Sequence, residues 1–251
     1  MNKLAIGTVQ FGMEYGIANL DGQVQQDEVE NILNLAKRNG IRTLDTAQNY
    51  GDSEESIGRY LSHFPNDSWD IVTKVGPESV SLLKSLEESE ARLTVRPSAL
   101  LAHSPELFLQ ERFQVQLQAL RGEEFPINLG VSLYTKEEID QVLQAGCTPE
   151  IVQLPLNMLD TRLYHCGWLQ ELCDRGIQIH ARSVFLQGLF YLPAAELKHR
   201  FPDACFAIEE LKSIASEVNL ELAELSLLWL MSRQEVARVV IGVDTVEQLE
   251  A

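Results

Sequence analysis

The sequence is poor in positive charge. Its 251 residues include 20 Lys and Arg against 37 Asp and Glu, which leaves a formal net charge of −17. A nucleic-acid backbone and an anionic membrane surface are both bound by clustered Lys and Arg side chains. We therefore expect neither nucleic acid nor membrane as a partner of this protein.

Long hydrophobic runs are also missing. The sequence contains no apolar stretch of the roughly 18 or more residues that a transmembrane helix needs. The first residues, Met1-Asn2-Lys3-Leu4, lead directly into a strand-like segment and do not have the layout of a signal peptide. These features predict a cytoplasmic location.

Cysteine is scarce, and its spacing is uninformative. The four cysteines form no C-x-x-C pair and match no zinc-binding pattern. We therefore expect free thiols in a reducing compartment and no metal site. The cysteines are Cys147, Cys166, Cys173 and Cys205.

Short apolar runs alternate with longer amphipathic segments along the whole chain. Eight of the runs have the length and composition of buried strands, and helical periodicity follows each of the first seven. The predicted strands cover residues 4–8, 41–44, 69–74, 99–102, 127–131, 151–154, 177–181 and 237–241. The predicted helices cover residues 27–38, 53–61, 79–93, 105–120, 136–145, 168–174, 206–217 and 222–232.

This alternation predicts an α/β fold with a parallel sheet. The repeat of about 31 residues is the size of a βαβ unit, and eight units close most simply into a (β/α)₈ TIM barrel. A dinucleotide-binding open sheet is the alternative, but the G-x-G-x-x-G spacing it needs is absent after the first strand. We predict a single barrel domain over residues 1–251. About one or two turns of an eighth helix fit before Ala251, so we expect that helix to be truncated or the natural chain to be longer.

Polar residues stand at the ends of three successive predicted strands. Asp45 follows the second strand, Lys74 ends the third and His103 follows the fourth, while Tyr50 lies in the loop after Asp45. The carboxyl ends of barrel strands form the active site of such folds. Each residue alone has an ordinary structural interpretation, such as a helix cap or a salt bridge. Their shared placement favours a catalytic set.

The chemistry of this set points to carbonyl compounds. A buried ammonium such as Lys74 needs a charge partner, which Asp45 can supply. A neighbouring cation favours the phenolate form of a tyrosine, so Tyr50 can exchange a proton with a carbonyl oxygen. A neutral His103 can hydrogen-bond the same oxygen. Because no side chain supplies a hydride, the set needs a cofactor for redox chemistry.

One segment carries a family resemblance. The run L-D-T-A-Q-N-Y-G-D-S-E at residues 44–54 resembles the signature L-D-T-A-x-x-Y-G-x-S-E of the aldo-keto reductases. The Thr73-Lys74 pair, His103 and the opening segment 6–12 are similar to further motifs of that family, so the resemblance covers residues 4–250.

The resemblance implies an NADP(H)-dependent oxidoreductase of the bacterial branch of this family. It implies that Tyr50 is the general acid/base, with Lys74 as its tuning cation and Asp45 as the partner of Lys74. By the same resemblance, His103 orients the carbonyl of an aldehyde or ketone substrate. A small-molecule carbonyl compound is therefore the expected partner, exchanged with the corresponding alcohol.

Cofactor contacts also follow from the resemblance, with departures. Leu133 replaces an Asn that helps hold the carboxamide, and Arg182 stands where many members have a stacking Tyr. A guanidinium plane can also stack on an aromatic ring. The implied contacts are Gly7, Thr8, Asp45, Ser132, Gln153, Arg182, Ser183, Leu186, Gly242 and Gln248.

The adenosine end departs most from the family pattern. Members often place Lys, Ser and Arg around the 2′-phosphate of NADP, whereas here Gly242, Val243 and Gln248 occupy the matching positions and Asp244 adds negative charge. A phosphate normally binds cationic or backbone N–H donors. NAD(H), or use of both cofactors, is therefore an alternative to NADP(H).

Three further residues are predicted as substrate contacts from their positions in the chain. Phe11, Tyr15 and Asn49 lie on loops that face the expected pocket.

One alternative function is a cofactor-binding regulatory protein on the same barrel with little turnover. Another is a lyase or isomerase that uses Lys74 in a Schiff base, although a lysine paired tightly with Asp45 is a poor nucleophile.

Overall fold

Eight parallel strands close into a barrel in chain order. A computed structural model describes residues 2–121 and 127–250 of the chain, so the other residues of the predicted domain 1–251 lie outside the described part. Each strand pairs in parallel with the next, and β8 pairs with β1. The predicted (β/α)₈ barrel is therefore confirmed. The strands are β1 (Leu4–Gly7), β2 (Thr43–Asp45), β3 (Asp70–Val75), β4 (Ala99–Ala102), β5 (Asn128–Ser132), β6 (Ile151–Pro155), β7 (Gln178–Arg182) and β8 (Val236–Gly242).

Helices lie between successive strands. The eight predicted helical segments are all present, some with shifted ends. The helices are α1 (Val9–Gly12), α2 (Gln26–Arg38), α3 (Ser53–His63), α4 (Leu82–Leu93), α5 (Pro105–Phe108), α6 (Glu111–Arg121), α7 (Lys136–Gln144), α8 (Arg162–His165), α9 (Trp168–Asp174), a 3₁₀ helix (Leu186–Tyr191), α10 (Ala194–Arg200), α11 (Pro202–Glu217), α12 (Leu222–Met231) and α13 (Val246–Glu250).

Several boundaries differ from the predictions. The predicted helix 105–120 is two helices, α5 and α6. The helix predicted from residue 79 begins at Leu82, because the Ser81 hydroxyl accepts from the Lys84 N–H and caps it. The four-residue helices α1, α5 and α8 are too short for a periodic pattern to reveal. After β8 the chain forms the short helix α13, as its remaining length implied.

The core lies around and inside the barrel wall. Strands β4, β5 and β6 are buried over almost their whole length. Such two-sided burial is typical of parallel strands covered by helices. None of the described helices combines the length and the hydrophobicity that a membrane span requires. The packed wall fixes the strand ends, and the polar residues at those ends form the candidate site.

Candidate active site

Lys74 is the centre of the predicted catalytic set. It lies in β3, and its side chain is 1% exposed. Its Nζ donates to Asp45 Oδ2 at 2.7 Å and to the carbonyl oxygen of Thr46 at 2.9 Å. The same Nζ lies 3.5 Å from the hydroxyl of Tyr50. The structure thus brings three of the four predicted catalytic residues into one hydrogen-bonded group.

The protonation state of Lys74 follows from this group. Burial lowers the pKa of Lys74, but the Asp45 carboxylate and the Tyr50 phenol raise that pKa by more, so it lies above the usual value. Lys74 therefore remains an ammonium ion at neutral pH. This state is unfavourable for Schiff-base chemistry, which needs the free amine.

Asp45 is held through both carboxylate oxygens. Lys74 binds Oδ2, and the amide nitrogen of Gln153 donates to Oδ1 at 2.6 Å. Gln153 was predicted as a cofactor contact, and the structure directs its amide nitrogen toward Asp45. Thr8 adds a further link from β1, because its N–H and its hydroxyl both donate to the carbonyl oxygen of Asp45, at 2.9 and 3.0 Å. The carboxylate is thereby fixed in the orientation that pairs with Lys74.

His103 completes the predicted set. Its ring lies edge to face against the Tyr50 ring, with the centroids 5.7 Å apart and the planes at 76°. Its Nδ1 is buried and has no hydrogen-bond partner within the described residues. Burial and the positive charge of Lys74 lower the pKa of His103 to about 4. The imidazole is therefore neutral near pH 7 and can donate one N–H to a carbonyl oxygen.

The Tyr50 loop packs against α1 through two glycines. A Cβ on Gly12 would lie 1.8 Å from the carbonyl oxygen of Tyr50 and 2.3 Å from the N–H nitrogen of Ser53. Gly51 has a φ of +52°, and a Cβ there would lie 2.1 Å from the carbonyl oxygen of Gly12. The backbones therefore touch directly, and this contact positions Tyr50.

The last two residues of the signature segment are structural. The Ser53 hydroxyl donates to the carbonyl oxygen of Thr8 at 2.7 Å. Glu54 is buried and accepts from Thr73 Oγ1 and from Arg92 Nε, both at 2.6 Å. These contacts attach α3 to β1, to β3 and to the end of α4, so they stabilise the loop that carries Tyr50.

A second polar group lies at the ends of β5 and β7. Arg182 ends β7, and its Cζ lies 4.2 Å from the centroid of the Tyr134 ring. Tyr15 is near the same group. Burial and the Tyr50 phenol raise the pKa of Tyr15, whereas Arg182 opposes that rise. The sequence analysis did not predict Tyr134 as a site residue. The one available signal was its position two residues after Ser132, in the loop that follows β5.

The loop after β7 has an unusual backbone. Ser183, Leu186 and Gln187 have φ values of +59°, +50° and +58°, a region that non-glycine residues seldom adopt. Asn157 donates to the carbonyl oxygen of Ser183 at 3.1 Å, and the N–H of Ile17 donates to that of Gln187 at 2.7 Å. Ser183 and Leu186, both predicted cofactor contacts, therefore lie in a turn that is held from two sides.

The end of β8 is tied to the loop after α1. Asn19 Nδ2 donates to Asp244 Oδ1 at 3.2 Å, and the N–H of Asp244 donates to Gln248 Oε1 at 2.8 Å. Burial raises the pKa of Asp244. The side chain of Gln10 lies against Gly242, and its buried Oε1 has no partner in the described part of the chain. The sequence did not point to Asn19 or Gln10.

The remaining predicted contacts occupy different surroundings. Gly7 and Ser132 end β1 and β5, as expected. Tyr15 is 38% exposed and Asn49 is exposed. Phe11 has no exposed surface and packs in the main hydrophobic cluster, so its position does not indicate a substrate contact.

Comparisons with known proteins bear on the family and on the fold. The model of the aldo/keto reductase family matches residues 3–251. A relative from Mycobacterium ulcerans (strain Agy99), named aldo-keto reductase, is 31% identical over 154 residues. That match covers 57% of this chain and 52% of the relative, so it spans about half of that protein's length.

Two solved structures share the fold. Both are described as proposed aldo-keto reductases from Pseudomonas aeruginosa, with TM-scores of 0.71 and 0.69 at 22% and 21% sequence identity. Each likeness covers 99% of this chain and 86% of the other. At this identity the two structures support the barrel itself.

Proposed function

Because the chain belongs to the aldo/keto reductase family, we propose that it transfers a hydride between a nicotinamide cofactor and an aldehyde or ketone, with Tyr50 as general acid/base. The observation that carries this proposal is the buried Lys74–Asp45 pair with its ammonium 3.5 Å from the Tyr50 hydroxyl. At this distance the Lys74 ammonium interacts directly with the negative charge that develops on the Tyr50 oxygen as the proton is transferred.

The residues at the barrel mouth fit a bound nicotinamide cofactor. The turn from Ser183 to Gln187 contains three residues with positive φ, and turns of this kind can present backbone N–H groups to phosphate oxygens. The side chain of Gln10 lies beside Gly242, and its Oε1 is an acceptor without a partner among the described residues. Ser132 and Ser183 are the side chains that would hold the cofactor's nicotinamide end. When bound, the cofactor supplies or accepts the hydride.

The chain's own residues handle the proton. In the reducing direction Tyr50 donates its hydroxyl proton to the carbonyl oxygen, and in the reverse direction it takes the proton from the alcohol. Lys74 keeps its proton and stabilises the phenolate left behind. The neutral imidazole of His103 donates an N–H to the same substrate oxygen and orients it.

We further propose that NAD(H) binds at least as well as NADP(H). Residues 243–250 contain no Lys or Arg, and they include the acidic residues Asp244, Glu247 and Glu250. A 2′-phosphate at this end would meet the partly buried Asp244 instead of a cation, and like charges repel there.

The test is a Tyr50→Phe variant measured for turnover and for cofactor binding. We expect kcat across a panel of aldehydes, ketones and sugars to fall by about 10² to 10⁴, the usual contribution of a general acid/base. The dissociation constants of NADH and NADPH, from nicotinamide fluorescence, should stay near those of the unchanged protein, with NADH bound at least as tightly. Tyr164→Phe is the control, because the Tyr164 hydroxyl accepts from Arg233, which precedes β8 at the end of the barrel away from the site.

The outcomes separate the competing functions. Retained turnover in Tyr50→Phe would exclude Tyr50 as the acid/base. Cofactor binding without turnover on any carbonyl would instead indicate the regulatory protein. Borohydride trapping of substrate on Lys74 would indicate Schiff-base chemistry. Tighter binding of NADPH than of NADH would contradict the cofactor preference alone.

A further inference from the structure

Arg182 is a cation at the barrel mouth with few partners. It is half-buried at the end of β7. Its Nη1 donates to Ser183 Oγ at 3.3 Å, and its Nη2 donates to the carbonyl oxygen of Leu133 at 3.5 Å. A guanidinium carries five N–H donors, and both of these bonds are long. Among the described residues no carboxylate pairs with Arg182, so its remaining donors are available to a ligand.

The Tyr134 ring sets the orientation of this guanidinium. With Arg182 Cζ 4.2 Å from the ring centroid, one face of the cation is covered. Such a contact stabilises the charge and restrains the side chain, but it satisfies no in-plane N–H group. The free N–H edge is therefore presented in a fixed direction, which suits a planar or tetrahedral anion.

The positive charge of Arg182 acts on His103, a member of the proposed catalytic set. Burial and Lys74 lower the pKa of His103, and Arg182 lowers it further, while Asp45 and the more weakly acting Glu78 oppose this. Lys74 is already neutralised by its pair with Asp45. Of these two cations, Arg182 is thus the one whose charge no carboxylate in the described part of the chain offsets.

We propose that Arg182 binds an anionic group on the substrate, so that the preferred carbonyl compounds carry a carboxylate or a phosphate. This inference rests on the proposed oxidoreductase function and names its substrate class. A chain with a net charge of −17 repels anions at long range. An anionic substrate therefore needs a local, oriented cation, and Arg182 supplies one at the same end of the barrel as His103.

The experiment uses substrates that differ only in charge. Succinic semialdehyde is compared with its methyl ester, and glyceraldehyde 3-phosphate with glyceraldehyde. Arg182→Gln should lower the ratio of kcat/KM for the anion to that for its neutral partner by about 10- to 100-fold, mainly through KM, as expected for a charged hydrogen bond. Arg182→Lys should retain part of the preference. Whichever pair shows the larger effect identifies the carboxylate or the phosphate as the group bound.

Two measurements control this experiment. Arg175→Gln removes one positive charge from the opposite end of β7, where Arg175 pairs with Glu171, and should leave the ratio unchanged. Cofactor dissociation constants are measured for every variant. If Arg182→Gln weakens cofactor binding and lowers kcat/KM equally for anion and neutral partner, Arg182 serves the cofactor and the proposal is wrong. A ratio near one for both pairs in the unchanged protein would also overturn it.

An equilibrium measurement separates this inference from the proposed function. Succinate is titrated calorimetrically into the protein saturated with its preferred cofactor. Binding that is lost in Arg182→Gln and kept in Arg175→Gln supports an anion site even if no carbonyl compound is turned over. Binding that persists in Arg182→Gln places the anion elsewhere and contradicts the proposal.

Discussion

Lys74 shows how one residue links stability to the proposed chemistry. The Lys74 side chain is only 1% exposed, and its buried ammonium is tolerated because Asp45 and Thr46 accept hydrogen bonds from it. The hydroxyl of Tyr50 lies 3.5 Å from the same nitrogen. The same contacts keep the proton on nitrogen and leave the charge beside the phenol. The residue type and the strand end were readable from the sequence. The contact of Gln153 with Asp45 was not, because the direction of an amide depends on the three-dimensional packing.

We predict that Lys74→Met destabilises the fold by about 3 to 5 kcal/mol, because it leaves the Asp45 carboxylate buried without its cation. The double variant Lys74→Met with Asp45→Asn should lose less than the sum of the two single changes. Urea unfolding measures all three. Lys84→Met, which removes an exposed pair with Glu88, is the control and should change stability by less than about 1 kcal/mol. Additive losses would mean that the pair is not coupled.

At the scale of elements, the sequence predicted what repeats and missed what is irregular. Alternating strands and helices, with polar residues at strand ends, placed the four catalytic candidates correctly in one cluster. The loop after β7 could not be predicted, because Ser183 and Gln187 adopt a left-handed backbone that their residue types do not signal. The orientation of Phe11 also could not be read from the sequence. The short helix α1 turns its side chain into the core.

The contact between α1 and the Tyr50 loop gives a prediction for the variant Gly12→Ala. The added methyl carbon would lie 1.8 Å from the Tyr50 carbonyl oxygen, so the loop must move and carry the phenol with it. A displacement of about 1 Å lowers rates by about 100-fold. We expect kcat to fall by that order, measured with the best carbonyl substrate and saturating cofactor.

The control for this change is Gly40→Ala. Its φ of +75° is unfavourable for alanine, yet a Cβ there meets nothing within 4 Å, and it lies before β2, away from the strand ends that carry the site. It should lose stability without losing kcat. If Gly12→Ala loses stability in the same way and keeps its kcat, the close backbone contact does not position Tyr50.

At the scale of the whole molecule, closure of the barrel brings charged residues that are distant in the sequence around one common interior. His180 on β7 is 3% exposed, and its Nδ1 has no partner within the described residues. Asp45, Arg238 and Lys74 are the charges that act on it from β2, β8 and β3. Burial is the largest influence and lowers the pKa of His180 to about 4, below the ordinary value of 6.5.

This shift predicts a specific loss of stability in acid. Between pH 6.5 and 4 the unfolded chain binds a proton at His180 and the folded chain does not, so the free energy of unfolding falls as the pH falls through that window. The stability that neutral His180 contributes to the folded state is fully present above pH 6.5. By pH 4.5 this contribution to the free energy of unfolding has decreased by about 2 to 3 kcal/mol. Urea unfolding at pH 7 and pH 4.5 should therefore show a smaller decrease for His180→Gln than for the unchanged protein, by that amount. His199→Gln, at an exposed position, should show no such difference. Equal decreases in all three proteins would mean that His180 takes up its proton inside the barrel as readily as in the unfolded chain.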